Sequence, residues 1–139
     1  MSFTDWMENA VLNGMLGTGH ALGLPATVYI GLSTTSISDD GSGYTEPVGG
    51  AYAKVAKTNS NTDWTVSVAG EKTNATDCVF PDATADWGIV TDWFVSDVGI
   101  SQIYVKGKLD DGAGTPQPRT ILNGDTFKFL AGDLRIVLD

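Results

Sequence analysis

Apolar and polar residues alternate in short runs along most of this chain, the two-residue period of strands with one buried face. Val28, Ile30 and Leu32 alternate with Thr27, Tyr29 and Gly31 across residues 26–33. Trp64, Val66 and Val68 repeat the pattern at 64–68, Ile103 and Val105 at 101–108, and Phe127 and Phe129 at 126–130. Leu134, Ile136 and Leu138 form a last run, and further strands are expected at 52–58, 72–80, 88–96 and 119–122. Lys54 and Lys57 suggest that the 52–58 strand lies toward a sheet edge, where charge discourages stray pairing. The stretch from Cys78 to Asp97, CVFPDATADWGIVTDWFVSD, carries two of the four tryptophans and a Phe-Pro turn. It is the segment expected to set how two β layers meet.

The period changes only at the N-terminus. Phe3, Trp6, Met7, Ala10 and Val11 make one apolar stripe over residues 2–16, with Thr4, Asp5, Glu8, Asn9 and Asn13 largely opposite. That is an amphipathic helix, with Ser2 as its cap, Asp5 completing a weak capping box, and Gly14 and Gly17 as its end. Such a helix either lies on its own β core or docks as an arm on a neighbouring subunit through Trp6. Residues 36–50 and 110–118 are long loops dense in turn formers. The expected fold is therefore all-β: an antiparallel β-sandwich, jelly-roll-like, with one short N-terminal helix. It forms a single domain, with 1–17 as helix or arm and 26–139 as sandwich. We read no internal repeat of the kind a fibre shaft shows.

Composition narrows the function. With 42% apolar residues among 139, the chain can bury a core without staples. Its single cysteine, Cys78, makes no internal disulfide and reads as a small core hydrophobe. A net charge of −9 with only eight Lys and Arg excludes nucleic acid as an expected partner. No window approaches the ~20 apolar residues of a membrane span, and no signal-peptide pattern opens the chain, so a soluble protein made and kept in a cytoplasm is expected.

No nucleophile elbow, phosphate loop or metal motif is present. His20 stands in a glycine-rich connector without a partner motif. Asp39, Asp40 and Glu46 lack the spacing of a calcium loop. Asp86, Asp92 and Asp97 could in principle supply a glycosidase pair, but they sit as turn residues do. Trp64, Trp87 and Trp93 could form a sugar-stacking platform, although their apolar setting favours packing. We therefore expect no catalytic residue, no cofactor and no metal.

The segments PATVYIGLST, DDGSGYTEPVGGAYAKVA, VFPDATADWGIVT and NGDTFKFLAGDLRIVLD, following the N-terminal helix, resemble a family of small tailed-bacteriophage virion proteins often labelled tail fibre proteins. FPDATADWG and the terminal NGDTF and AGDL elements carry most of the likeness, which covers nearly the whole chain. In size and expected fold the chain is also similar to phage capsid cement proteins. The resemblance implies a structural role without catalysis. A compact acidic sandwich without repeats suits a cement or decoration protein on the capsid exterior. Its partners would be the major capsid protein and further copies of itself, as a homodimer or homotrimer, but neither nucleic acid nor membrane. The alternative is a tail fibre or tail-associated receptor-binding component that binds carbohydrate. Expected contacts are Phe3, Trp6, Met7 and Val11 on the helix, Tyr44 and Glu46 in the 36–50 loop, and Pro116 and Arg119 around the 110–118 loop.

Overall fold

The computed structural model describes residues 1–16 and 22–138. The first elements are β1 (Ser2–Phe3), α1 (Asp5–Met15), β2 (Thr27–Ser33), β3 (Val55–Thr58), β4 (Glu71–Thr73) and β5 (Cys78–Val79). They are followed by β6 (Gly88–Val90), β7 (Asp92–Ser96), β8 (Ile103–Lys108), β9 (Arg119–Ile121), β10 (Lys128–Phe129) and β11 (Arg135–Val137). Most of the expected Gly17–Pro25 connector, with His20, lies outside the described residues.

One layer is a five-stranded antiparallel sheet in the order β1-β8-β7-β2-β3. Its centre is β7, buried at all five positions. Two glycines make this possible. Gly31 on β2 faces Phe94, and Gly107 on β8 faces Trp93. A Cβ at Gly31 would stand 2.2 Å from the Phe94 ring, and one at Gly107 2.6 Å from Trp93. Each aromatic ring thus lies across the bare backbone of the neighbouring strand, a cross-strand pairing that covers glycine with apolar surface.

The second layer is a single interrupted ribbon. β4, β5 and β6 pair antiparallel with β11, β10 and β9 in reverse order: Glu71 faces Val137, Cys78 faces Phe129, and Gly88 faces Ile121. Backbone bonds continue between these ladders, from Phe80 N to Phe127 O (3.0 Å), Ala83 N to Asp125 O (2.9 Å) and Trp87 N to Ile121 O (2.9 Å). Residues 71–90 therefore run beside 119–137 throughout. The continuous strand expected at 72–80 is broken because Asn74 turns its side chain into the ladder. Its Nδ2 donates to Thr76 O and Leu130 O, and its Oδ1 accepts from Gly132 N and Leu134 N.

The layers join where the central stretch predicts. The expected 88–96 strand is divided at Thr91, with β6 in the ribbon and β7 in the sheet. Thr91 N donates to Ser33 O and Thr91 O accepts from Leu109 N, both at 2.9 Å. Val28, Ile30, Leu32, Trp93 and Val95 from the sheet meet Phe80, Val90, Ile121, Phe129 and Leu134 from the ribbon in one core. Each fully buried side chain of this size contributes roughly 1.5–3 kcal/mol. The sandwich is as expected; the pairings stop short of a jelly-roll winding.

Three local expectations are corrected. Ser2 does not cap the helix: Ser2 and Phe3 pair with Lys106 and Val105. The cap is Thr4, whose Oγ1 accepts from Met7 N (3.5 Å) and donates to Ile103 O (2.6 Å). The helix also runs through Gly14 to Met15. In the 64–68 run only Trp64 is buried, because the chain turns back at Ala69 and Gly70 (φ 51° and 78°) and leaves Val66 and Val68 beyond the core. A strand's alternating pattern does not bury residues that overhang its neighbours. Finally, β3 is an edge strand as expected, but Lys57 is buried instead of guarding the edge.

Candidate interaction surface

The eight expected contact residues divide by their surroundings. Met7 is buried, and Phe3 and Val11 are half-buried against the chain's own core. Trp6 reaches solvent at 37% exposure, its ring 5.5 Å from Tyr104. The helix thus lies on its own sheet and presents one edge of Trp6 outward. Tyr44 packs a tilted ring on Phe94 at 5.6 Å. Glu46 accepts from the Tyr52 hydroxyl (2.8 Å), which in turn accepts from Leu32 N (2.9 Å). Burial, with the Glu46 carboxylate beside it, raises the pKa of the Tyr52 hydroxyl and keeps it protonated. Pro116 and Arg119 are exposed, and Asp110 bridges to Pro116 across the loop. These residues sit on three separate elements.

The carboxylates hold structure together. Asp86 accepts from Asn123 N (2.8 Å), Asp97 from Gln102 N (3.2 Å), and Asp40 from Ser42 N (2.9 Å). Asp40 and Asp97 close local turns, as their sequence setting implies, while Asp86 reaches across the ribbon. Asp92 is the exception: it is buried in β7, accepts from Ile37 N (3.4 Å) and stands 3.6 Å from Lys108 Nζ. That contact fastens the 34–46 loop onto the sheet. Among the described residues, no group of three or more His, Cys, Asp or Glu could hold a metal ion.

Lys57 is the other buried charge. Its Nζ donates to Asp77 O (2.6 Å) and Thr76 Oγ1 (2.9 Å) and lies 3.7 Å from Asp63 Oδ1. The Thr76 hydroxyl, followed by Thr58 N–H, Thr58 hydroxyl and Lys57, holds the Asp63 carboxyl down to about 2. Next to this cluster, burial pushes the Cys78 thiol up to about 12, the state of an inert core thiol. Trp64, Trp87 and Trp93 are all buried, so the sugar-stacking platform they were considered for does not exist on the surface. Trp87 Nε1 instead donates to Gly50 O at 2.8 Å.

One surface feature escaped the sequence reading. Ile121-Leu122-Asn123-Gly124-Asp125 recurs eight residues later as Phe129-Leu130-Ala131-Gly132-Asp133. The two segments fold into the same turn. Asp125 Oδ2 accepts from Leu122 N (2.8 Å), and Asp133 Oδ2 from Leu130 N (2.7 Å). Gly124 and Gly132 have φ of 91° and 93°, the left-handed region that glycine tolerates. The facing arm supplies an acid to each: Asp86 accepts from Asn123 N, and Asp77 from Ala131 N (2.9 Å). Ile121 and Phe129 point into the core, while Leu122 and Leu130 are exposed at 50% and 49%. The recurrence is a pair of equivalent turns and not a shaft-type repeat; its signal, hydrophobic-Leu-x-Gly-Asp at an eight-residue spacing, was visible in the sequence.

Backbone-clamped turns, carboxylates occupied by main-chain donors and indoles packed in the core describe a small structural β-sandwich. The family model described as podophage GP4 fiber I protein gp80 matches residues 2–137. The chain belongs to this family of phage virion fibre proteins; the match is not specifically to capsid decoration proteins. No curated protein matches the chain. Among the described residues, no helix is long and apolar enough to cross a membrane.

Proposed function

We infer that this protein is a non-enzymatic structural subunit of the podophage fibre assembly, acting through contacts with other virion proteins and with further copies of itself. The observation that carries this reading is the family match from residue 2 to residue 137. It spans helix, sheet and ribbon alike, so the whole sandwich is the fibre-family module. The geometry supports it, since the candidate acids and indoles are committed to internal bonds and packing. The acidic balance of −9 keeps free subunits apart until a specific surface engages.

The capsid cement reading, with the major capsid protein as partner, shares the size and fold and differs in copy number. Quantitative mass spectrometry of purified particles against the major capsid protein separates the two. A fibre subunit is expected at a few per cent of the capsid protein. A ratio near parity would place it on the capsid exterior, and absence from the particle would remove both virion roles.

A further inference from the structure

We propose that Asn123-Gly124 is a spontaneous deamidation site whose reaction is gated by opening of the ribbon. Asparagine followed by glycine is the pair most prone to this chemistry, because the bare glycine backbone lets its amide nitrogen reach the preceding side chain. The chain has two such pairs, Asn13-Gly14 in α1 and Asn123-Gly124 in the ribbon. Gly124 N gives up its proton and attacks Asn123 Cγ. The N–Cγ bond forms, the Cγ–Nδ2 bond breaks, and ammonia leaves a cyclic imide. Solvent water then adds to either imide carbonyl and opens the ring to aspartate or isoaspartate, with no oxidation or reduction.

The folded turn withholds the nucleophile. Gly124 N donates to Ala83 O at 2.7 Å, and Asn123 N donates to Asp86 Oδ1 at 2.8 Å, so both nitrogens of the pair are tied to the facing arm. Asp125 Oδ2 fixes the preceding Leu122 N. These bonds hold the proton on Gly124 N and the backbone angles that ring closure must change. Asn123 itself is exposed, so water reaches the imide once pairing opens. The reaction runs one way. Its product adds a carboxylate beside Asp86 and Asp125, which repel it. Isoaspartate also lengthens the main chain by a carbon and moves Gly124 N out of register with Ala83 O. The equivalent turn carries Ala131 at this position, with Gly132 N donating to Asn74 O at 2.9 Å. It has the same clasp without the reactive amide.

The test incubates the purified chain at mildly alkaline pH, native and in denaturing urea, and follows each asparagine by peptide mapping and mass spectrometry. In urea both Asn-Gly pairs should convert. In the native chain Asn123 should convert about 100-fold or more slowly, since the open fraction of the ribbon sets its rate. Asp86→Ala should speed native conversion by about 10-fold, the effect of losing one charge-assisted bond, and leave the rate in urea unchanged. Ala131→Asn reproduces the Leu-Asn-Gly-Asp sequence in the second turn; it should convert in urea and be held in the native chain. Circular dichroism must show each variant folded; where Asp86→Ala fails to fold, Ala131→Asn decides. Native conversion of Asn123 as fast as in urea overturns the gating, and so does a folded Asp86→Ala chain that converts at the wild-type native rate. An Asn123 that survives in urea while Asn13 converts overturns the site itself. These measurements use the chain alone and are independent of the fibre reading.

Discussion

The sheet and the ribbon draw on the same residues, valine, isoleucine, leucine and aromatics, and place them differently against water. In the sheet, β7 has two covered faces. Trp93 and Val95 meet the ribbon, while Phe94 lies under Ile37 and Tyr44 of the 34–46 loop. The ribbon is covered on one side only, and its outer residues Val79 and Ile89 remain exposed. The central strand of the sheet is closed to water on both faces, whereas the ribbon is closed on its inner face only.

Glycine is the sharpest probe of that contrast. Gly31→Ala drives a Cβ into the Phe94 ring and should cost about 3 kcal/mol or more, at the upper end of overpacking penalties. Pairing it with Phe94→Leu should recover part of the loss, a coupling that a double-mutant cycle in urea would measure. Gly88→Ala in the ribbon meets nothing within 4 Å, and its φ of 86° is the only obstacle. It should cost about 1–2 kcal/mol, the penalty of a left-handed L-residue. Equal costs at both sites would erase the distinction between a closed layer and an open one.

The next largest effect lies where β3 meets the ribbon arm. The Asp63 carboxyl is held at about 2 in the folded chain, against about 3.9 when unfolded. A depressed folded value means that its stabilisation is complete above the unfolded value and is lost as pH falls toward 2. Asp63→Asn should cost about 2 kcal/mol at neutral pH, because Lys57 then remains buried without its counter-charge. The variant should also show a shallower loss of stability between pH 4 and 2. Chemical denaturation at stepped pH tests both points, and a parallel decline in wild type and variant would remove Asp63 from the account.

Much of this architecture was legible beforehand, and the misses share physical causes. Alternation located β2 and β8, and the apolar run of the central stretch located β7, whose five positions are all buried. It overran at Val66 and Val68, since alternation reports a strand's two faces and not how far its neighbours extend. It also overran at Asn74, where a side chain takes the place of a ladder partner and ends the strand without a glycine or proline to mark it. The burial of Lys57 was illegible because its three oxygen partners come from 6 to 20 residues away along the chain. The Leu-x-Gly-Asp turns were legible and were read as ordinary breaks. Only the ribbon register brings Asp77 and Asp86 across to them and reveals the two turns as one motif.

That equivalence is itself open to test. Asp125→Ala and Asp133→Ala each remove one charge-assisted bond to a leucine N–H. Each should cost about 1–2 kcal/mol, with matching values if the turns are true repeats. The two sites share no hydrogen-bond partner, so the double variant should be additive within about 0.5 kcal/mol. Unequal costs would mean that only one turn depends on its acid.

The smallest expected effect states the comparison most directly, because it applies one chemical change to both layers. Ile30 on β2 is 0% exposed and Ile89 on β6 is 56% exposed. Ile30→Val leaves a methylene-sized void in a closed core and should cost about 1 kcal/mol. Ile89→Val removes the same group from a surface already in water, and in dilute monomeric protein it should change stability by less than about 0.5 kcal/mol. Equal costs at the two isoleucines would mean that burial within the monomer does not separate the layers.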